Sequence, residues 1–261
     1  MHTFVVLAYK ESEYLEDCIK SVIHQKYRSK VVIATSTPNA YIKNLADKYN
    51  ITLIKNDSIE KGIGYDFDFA LNCVDDTLIT IAHQDDIYDY EYSWNIIDKY
   101  EKNKDSLIIF SDYYEIRGRE KVESNKNFLV KRLLLMPLRI NIISKTYFIK
   151  RFILRFGNPI CCPAVTFVKR NLENTHIFKS HMKCNVDWLA WERLSIQNGK
   201  FVYINKLLMG HRVHSKSTTT DIINHGIRTE EDVIMFKKFW PTWIAEIINK
   251  FYKKSEESNK N

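Results

Sequence analysis

Residues 77–86 (TLITIAHQDD) decide the fold expected for this chain. The first six residues are typical of a strand buried on both faces, and the last four are polar. Ligands of open α/β sheets bind at the carboxyl ends of such strands. Two carboxylates fixed at a strand end therefore predict a site for a hard cation, Mg²⁺ or Mn²⁺, shared with substrate phosphates. A polar turn that caps the next helix fits the same residues.

The first half of the chain alternates strands with helices. Strands are predicted at residues 4–8, 31–35, 51–54, 77–82 and 107–111, and helices at 14–23, 40–49, 67–74 and 90–100. This alternation is typical of an α/β protein with a doubly wound, mostly parallel central sheet. Because no repeat and no Pro- or Gly-rich linker interrupts the chain, we expect one continuous unit.

The second half is less regular. Two helices separated near Pro137 are predicted, and the other predicted elements are strands at 164–168, 201–204 and 207–212 and a helix at 186–197. Thr229 and Asp232 form a capping-box pattern that predicts the start of a C-terminal helix. Pro241 is expected to kink or restart that helix.

Positive charge is unevenly distributed. The net charge is +7, and residues 124–172 contain ten Lys or Arg and no Asp or Glu. Apolar residues are interleaved with these cations, as in helices that lie on an anionic membrane surface, although a solvated helical face above a core has the same pattern. A second apolar stripe, from Trp243 to Phe251 with flanking lysines, fits either a membrane surface or core packing.

The remaining composition indicates the compartment. The five cysteines lack paired CxxC spacing, so neither a disulfide framework nor a zinc site is expected. The N-terminus lacks the design of a signal peptide, and no apolar run reaches the roughly 18 residues that cross a bilayer. We expect a cytoplasmic protein, peripherally associated with the inner face of the cell membrane. A nucleic-acid-binding protein fits the charge alone, but the long aliphatic runs argue against it.

Four motifs in order resemble family two glycosyltransferases of the GT-A fold, of the bacterial cell-surface or exopolysaccharide type. They are residues 6–27, like the family's first strand and helix; 83–86 (HQDD), like its metal-binding DxD segment; 158–167 with 187–188; and 211–214 (HRVH). The resemblance covers roughly residues 3–220. It implies transfer of a sugar from a nucleotide-diphosphate donor, with a UDP-sugar favoured, to an acceptor hydroxyl with inversion at the anomeric carbon.

On the acceptor side, the resemblance implies that Asp187 is the general base, because the attacking hydroxyl must lose its proton. A carboxylate that only caps its helix is the alternative for this residue. Trp188 and Asp112 are expected to contact the acceptor, Trp188 by stacking on a sugar. Packing of Trp188 beneath the helix is the alternative.

On the donor side, the resemblance implies a divalent metal, Mn²⁺ or Mg²⁺, held by Asp85, Asp86 and His214. The residues expected to bind the nucleotide sugar are Ala8, Tyr9, Glu11, Thr35, Ser36, His83, Asp85, Arg212 and His214. Arginine suits a diphosphate because its planar fork donates two parallel hydrogen bonds. Lys216 is expected to lie on the same loop as residues 211–214, late in the chain.

Three departures from the family pattern affect the donor site. Residues 34–39 (ATSTPN) replace a segment that carries a base-binding Asp, so uridine specificity then depends on the hydroxyls of Thr35 or Ser36. Residues 62–68 (GIGYDFD) lack the family's Arg. His83 stands where the DxD segment has its first Asp, and an imidazole suits Mn²⁺ better than Mg²⁺.

We divide the chain into a nucleotide-sugar-binding half at 1–115, an acceptor-binding half at 116–220, an amphipathic helical segment at 221–254 and a disordered tail at 255–261. The favoured function is an inverting, metal-assisted hexosyltransferase that extends a glycan or lipid-linked acceptor in surface polysaccharide or cell-wall synthesis. A catalytically silent GT-A module that binds a nucleotide sugar or a glycan is the alternative.

Overall fold

The computed structural model describes residues 1–214 and 227–257 of the chain. Its strands are β1 His2–Ala8, β2 Lys30–Thr35, β3 Thr52–Lys55, β4 Leu78–His83, β5 Ile87–Tyr88, β6 Ser106–Arg117, β7 Glu120–Val122, β8 Val165–Val168 and β9 Lys200–Val213. Its helices are α1 Leu15–Ile23, α2 Ala40–Lys48, α3 Ile63–Asn72, α4 Tyr92–Lys102, α5 Lys126–Leu135, α6 Tyr147–Leu154, α7 Val186–Ser195, α8 Ile227–Lys237 and α9 Thr242–Glu257.

One sheet crosses the whole molecule. Its strand order is β3-β2-β1-β4-β8-β6-β9-β5, with β7 paired to β6. Strands β1 to β4 are parallel, β8 is antiparallel to both of its neighbours, and β6 runs parallel to β9. The predicted α/β architecture is therefore confirmed, with β8 as an antiparallel insertion.

Apolar residues cover both faces of the sheet. In β1, Val5 lies in one buried cluster, whereas Phe4 and Val6 lie in the other. This split follows from the alternation of side chains along a strand. Helices therefore pack on both sides, and the strand ends are left free to carry polar groups.

Several boundaries differ from the sequence prediction. Helix α3 begins at Ile63 rather than at residue 67, directly after Gly62, whose φ is 130°. Within the helix, Gly64 packs so closely that a Cβ there would lie 2.5 Å from the Phe178 carbonyl oxygen. The two strands predicted at 201–204 and 207–212 are one strand, β9, whose pairing with β6 skips from Ile204 to Leu207. Strand β6 continues to Arg117, so residue 115 does not mark a break in the fold.

The C-terminal helices correct two further expectations. Helix α8 already includes Ile227, so Thr229 is not its N-cap, and the buried Asp232 accepts a hydrogen bond from the side chain of Asn185 instead. Helix α9 extends to Glu257, so a disordered tail from residue 255 is wrong for residues 255–257. Pro241 does separate α8 from α9, as predicted.

Candidate active site

The acidic pair after β4 lies against the end of the last strand. Strand β5 directly follows Asp86 and pairs antiparallel with β9, so that Ile87 is opposite Gly210. This pairing brings His211 and Arg212 next to residues that precede them by more than a hundred positions. The sequence motifs at 83–86 and 211–214 therefore form one site.

Asp86 is buried and held by the end of β9. Its Oδ1 lies 3.0 Å from His211 Nδ1 and accepts a hydrogen bond of 2.9 Å from the Arg212 backbone N–H. Burial raises the pKa of Asp86, but the charge and hydrogen bond of His211 and the Arg212 N–H outweigh burial and lower the pKa below its usual value. Asp86 is therefore a stable carboxylate that fixes the end of β9.

Asp85 faces two further side chains. Its Oδ1 accepts a hydrogen bond of 2.7 Å from the Ser12 hydroxyl, and its Oδ2 lies 3.2 Å from His214 Nε2. The Arg212 side chain donates from Nε to the Asp85 carbonyl oxygen at 3.0 Å, with its guanidinium 4.3 Å from the Tyr14 ring centroid. Arg212 thus supports the backbone of the acidic pair.

The residues around Asp85 fit a divalent cation only in part. In residues 1–214 and 227–257, no group of three or more His, Cys, Asp or Glu side chains is arranged to hold a metal ion. However, Asp85 and His214 are adjacent, and the buried Asp86 Oδ2 has no hydrogen-bond partner. One or two carboxylates suffice when substrate phosphates supply the remaining ligands. Asp85 and His214 would hold such an ion, with Asp86 beside them.

The loops after β1, β2 and β4 are joined by hydrogen bonds beside this acidic pair. Gln84 holds the β1 loop with its side-chain amide, which accepts from the Tyr9 N–H at 2.9 Å and donates to the Tyr9 carbonyl at 3.0 Å. Lys10 has a positive φ of 55°, and its N–H donates to the Thr37 hydroxyl at 2.6 Å. Among the predicted nucleotide contacts, Tyr9 and Glu11 are exposed, whereas Ala8 is buried at the end of β1.

Thr35 and Ser36 use their hydroxyls within the protein. Thr35 is fully buried and accepts from the Thr37 N–H, and Ser36 donates to Asp66 Oδ2 at 2.9 Å. Asp66 also accepts from the Asn56 side chain at 2.9 Å. The structure therefore places a carboxylate from α3 beside the β2 end, where the sequence prediction had only hydroxyls.

His83, at the end of β4, is a further departure from expectation. Its ring lies 5.1 Å from the Phe67 ring, and its Nε2 is buried without a hydrogen-bond partner. Burial lowers its pKa despite the nearby Asp86 carboxylate. A neutral imidazole is therefore favoured here. Lys216 lies outside the described residues.

Asp187 lies in the first turn of α7 and is half-buried. Its Oδ2 accepts from the Asn158 side chain at 2.7 Å, and its Oδ1 accepts from the Trp188 N–H at 2.8 Å. Burial raises the pKa of Asp187, and these two hydrogen bonds offset only part of that rise. A carboxylate with raised pKa binds protons more readily, as a general base requires.

The loop before Asp187 is anchored by the C-terminal region. The buried Glu231 of α8 accepts hydrogen bonds from three consecutive backbone N–H groups, those of Lys183, Cys184 and Asn185, at 2.7, 2.9 and 3.0 Å. Sequence reasoning missed Glu231, because its partners are backbone groups more than forty residues away. Its anchoring role exists only in the folded chain.

The two residues expected to contact the acceptor, Trp188 and Asp112, have partners within the protein. Trp188 is fully buried, and its indole N–H donates to the Leu154 carbonyl at 3.1 Å, so it cannot stack on a sugar without opening the core. Asp112 is 7% exposed and forms an ion pair with Arg132 at 2.5 Å. For Trp188 the structure agrees with the packing alternative, whereas the acceptor contact of Asp112 stays a prediction.

Lys131 of α5 connects the two carboxylate regions. Its ammonium donates to the Tyr113 hydroxyl at 2.8 Å. Its charge acts on the pKa values of both His211 and Asp187, and the Cys161 thiol is influenced by both Asp86 and Asp187. The acidic pair and Asp187 therefore lie within electrostatic range of the same two side chains, Lys131 and Cys161.

The sequence itself matches a known family model. The model of glycosyl transferase family 2 matches residues 3–176, about two thirds of the chain. Asp187 and the C-terminal helices lie beyond the matched region. No curated protein sequence matches the chain.

Solved structures share the fold at low sequence identity. Staphylococcus aureus TarS 1–349 in complex with UDP-GlcNAc has a TM-score of 0.63 at 12% identity, over 95% of this chain and 70% of that chain. PcManGT, a mannosyltransferase from Pyrobaculum calidifontis in complex with GDP-Man and Mn²⁺, has a TM-score of 0.64 at 14% identity. The match covers 95% of this chain and 69% of that chain. Glucosyl-3-phosphoglycerate synthase from Mycobacterium tuberculosis has a TM-score of 0.55 at 12% identity, over 92% of this chain and 79% of that chain. The predicted GT-A fold is thereby confirmed.

Proposed function

We propose a specific reaction for this chain, which belongs to glycosyl transferase family 2 and is a glycosyltransferase. In this reaction a sugar passes from a nucleotide-diphosphate donor to a hydroxyl of a glycan or lipid-linked acceptor. The acceptor oxygen bonds to the anomeric carbon while the bond from that carbon to the diphosphate oxygen breaks. Attack from the side opposite the diphosphate inverts the anomeric centre.

The observation that carries this proposal is the half-buried Asp187 carboxylate in the first turn of α7. Its raised pKa favours acceptance of the proton that the acceptor hydroxyl loses. Asn158 fixes the carboxylate by its hydrogen bond to Oδ2 and leaves Oδ1 with the Trp188 N–H. Asp187 is accordingly the proposed base.

The donor is proposed to lie over Asp85, beside the loops that follow β1, β2 and β4. Mn²⁺ or Mg²⁺, held there by Asp85 and His214 with Asp86 in support, would supply positive charge to the departing diphosphate. A UDP-sugar is the favoured donor; TarS and PcManGT are solved with UDP-GlcNAc and GDP-Man respectively. The Asp66 carboxylate at the β2 end can accept a hydrogen bond from an N–H of uracil or guanine.

We further propose a role in surface polysaccharide or cell-wall synthesis at the inner face of the cell membrane. Supporting observations are the basic, acid-free segment 124–172 and the apolar side chains exposed on it, such as Leu133 and Ile142. No helix of residues 1–214 or 227–257 is long and apolar enough to span a bilayer.

A nucleotide panel tests donor binding. Thermal shifts are measured with UDP, GDP and their sugars, with and without Mn²⁺ and with EDTA. We expect a nucleotide-dependent rise in Tm that requires Mn²⁺. The same stabilisation with EDTA would contradict the proposed metal assistance.

Release of nucleoside diphosphate from the bound donor tests catalysis. Wild-type protein should hydrolyse the donor slowly, with water as acceptor, and Asp187→Asn should not. Asp75→Asn is the matched control, because that carboxylate is fully solvent-exposed. Donor binding without any turnover by the wild type, with or without added acceptors, would favour the catalytically silent module.

A further inference from the structure

Large apolar side chains are exposed on α6 and α9. Phe148 is 68% exposed, Trp243 65% and Phe251 72%. Together with the partly exposed Phe156 and Ile247, these residues are called the docking face. Apolar clusters of this kind mark interaction sites, because a soluble surface rarely exposes them without a partner.

Helix α9 is apolar on two opposite sides. On its inner side Ala245 is fully buried, and the Tyr252 ring lies 5.5 Å from the Phe236 ring in the core. On its outer side Trp243, Ile247 and Phe251 follow at intervals of four residues and therefore form one stripe. A helix that is apolar on both sides is normally covered on both. The inner side has its cover in the fold, and the outer side needs a partner.

A chain of aromatic rings joins α6 to the start of α9. Ring centroids lie 6.4 Å apart between Phe148 and Phe152, 6.1 Å between Phe152 and Phe156, and 5.7 Å between Phe156 and Trp240. Close to this chain, Gly157 has a φ of 140°, and a Cβ there would lie 2.8 Å from the Tyr252 ring. The residues that follow α6 therefore contact Trp240, just before α9, and Tyr252 within α9, and this contact is called the seam.

Cations surround this seam. The Arg155 guanidinium lies 3.7 Å from the Trp240 ring centroid and forms no ion pair within the described part of the chain. Lys250 and Lys253 are exposed on α9, and Glu246 is the one acidic residue among the α9 side chains that are described. Arginine and lysine beside aromatic rings suit the interface between acyl chains and anionic headgroups.

We propose that the docking face binds an anionic lipid bilayer, with the apolar stripe of α9 and Phe148 inserted between headgroups. Charge complementarity favours this occupant: an acid-free basic segment adjoins the apolar residues. A second copy of the chain is disfavoured, because a two-fold interface would bring the same cations of both copies together.

The location relates docking to the reaction. The inner side of α9 packs on the α7 helix, where the Tyr252 ring lies 6.5 Å from the buried Trp188 ring, next to Asp187. A bilayer on the outer side of α9 would thus lie behind the base-bearing helix. That the acceptor is lipid-linked rests on the proposed function. That the docking face binds a bilayer is independent of the proposed function.

Vesicle co-sedimentation tests the surface with the full chain. Vesicles of phosphatidylcholine alone are compared with vesicles of phosphatidylcholine and phosphatidylglycerol in equal parts. We expect binding only to the anionic vesicles, with a loss of affinity as salt rises. Trp243→Ser and Phe251→Ser should each lower the partition coefficient about tenfold, since each removes one buried aromatic side chain. Lys250→Glu with Lys253→Glu should lower it as well.

Matched controls are Trp94→Ser and Ile196→Ser, which change exposed apolar side chains away from the docking face, 48% and 62% exposed. They should leave vesicle binding unchanged. Equal binding to both vesicle types, or wild-type binding by Trp243→Ser, would overturn the proposal. So would a concentration-dependent dimer in light scattering that Trp243→Ser abolishes. Vesicle binding by a protein that fails the nucleotide panel would reject the proposed function alone.

Discussion

Two carboxylates, Asp86 beside the end of β9 and Asp187 at the start of α7, differ in how readily they bind protons. Burial raises the pKa of both Asp86 and Asp187. At Asp86 the charge of His211 and its hydrogen bond, with the Arg212 N–H, reverse the effect. At Asp187 the hydrogen bonds from the Trp188 N–H and the Asn158 amide, together with the charges of Arg228 and Lys131, lower the pKa by less than burial raises it. The neighbours therefore decide the sign of the shift.

This difference separates the two tasks of the proposed reaction. A carboxylate that stays ionised can attract a cation and hold the end of β9 through its negative charge. A carboxylate with raised pKa is suited to accept a proton. Environments that push the pKa values of paired titratable groups apart commonly distinguish their catalytic roles. The substitutions below test whether the two regions separate in this way, from the largest expected effect to the smallest.

Removal of the base has the largest expected effect. Asp187→Asn should lower turnover by about two to four orders of magnitude, the usual contribution of a positioned general base. The dissociation constant of the nucleotide diphosphate, measured by calorimetry, should stay unchanged because Asp187 lies on the acceptor side. Weakened nucleotide binding together with retained turnover would reverse the two assignments.

Asp85→Asn should affect the other region. We expect the Mn²⁺-dependent part of nucleotide binding to fall by about tenfold or more, because a neutral amide binds a hard cation less well than a carboxylate. Calorimetric titration of UDP with and without Mn²⁺ measures this. Asp57→Asn, in an exposed loop, is the control. The idea fails if both variants bind UDP equally well in Mn²⁺.

Glu231→Gln tests whether the C-terminal helix positions the base. The carboxylate accepts these three backbone N–H groups with both oxygens, whereas an amide has one oxygen and turns its NH2 donor toward the remaining N–H. Stability should therefore fall by about 1–3 kcal/mol in denaturant unfolding. Turnover should fall while nucleotide affinity stays constant. Glu230→Gln, its exposed neighbour, should change neither quantity. A parallel loss of nucleotide affinity would point to general unfolding instead.

The pH dependence has the smallest expected effect. Because the base acts when deprotonated, the raised pKa of Asp187 should place the acid limb of kcat/KM above the usual range of an Asp. Asn158→Ala removes a hydrogen bond that lowers this pKa, so the limb should shift to still higher pH. Charged groups that act on Asp187 are Arg228 and Lys131, and the thiol of Cys162 lies close by. An unshifted limb would argue against Asp187 as the titrating group.

Much of the nucleotide half could be predicted because its signals are local. Strand β4 and the carboxylates after it are contiguous in sequence, and period and turn chemistry suffice to recognise them. The acceptor half was less predictable. Asp112 and Trp188 have residue types common in sugar sites, yet Arg132 and the Leu154 carbonyl occupy their polar groups.

The sequence by itself determined the α/β alternation, the strand end at Asp85 and the basic segment, because each depends on a pattern within a few residues. The base candidate Asp187 came from the resemblance to family two glycosyltransferases and stays a prediction. Only the tertiary structure decided which groups meet. The pairing of β5 with β9 brings His211 to Asp86, and Glu231 reaches the loop before Asp187. These contacts set pKa values and positions through distances in space, which chain separation does not encode.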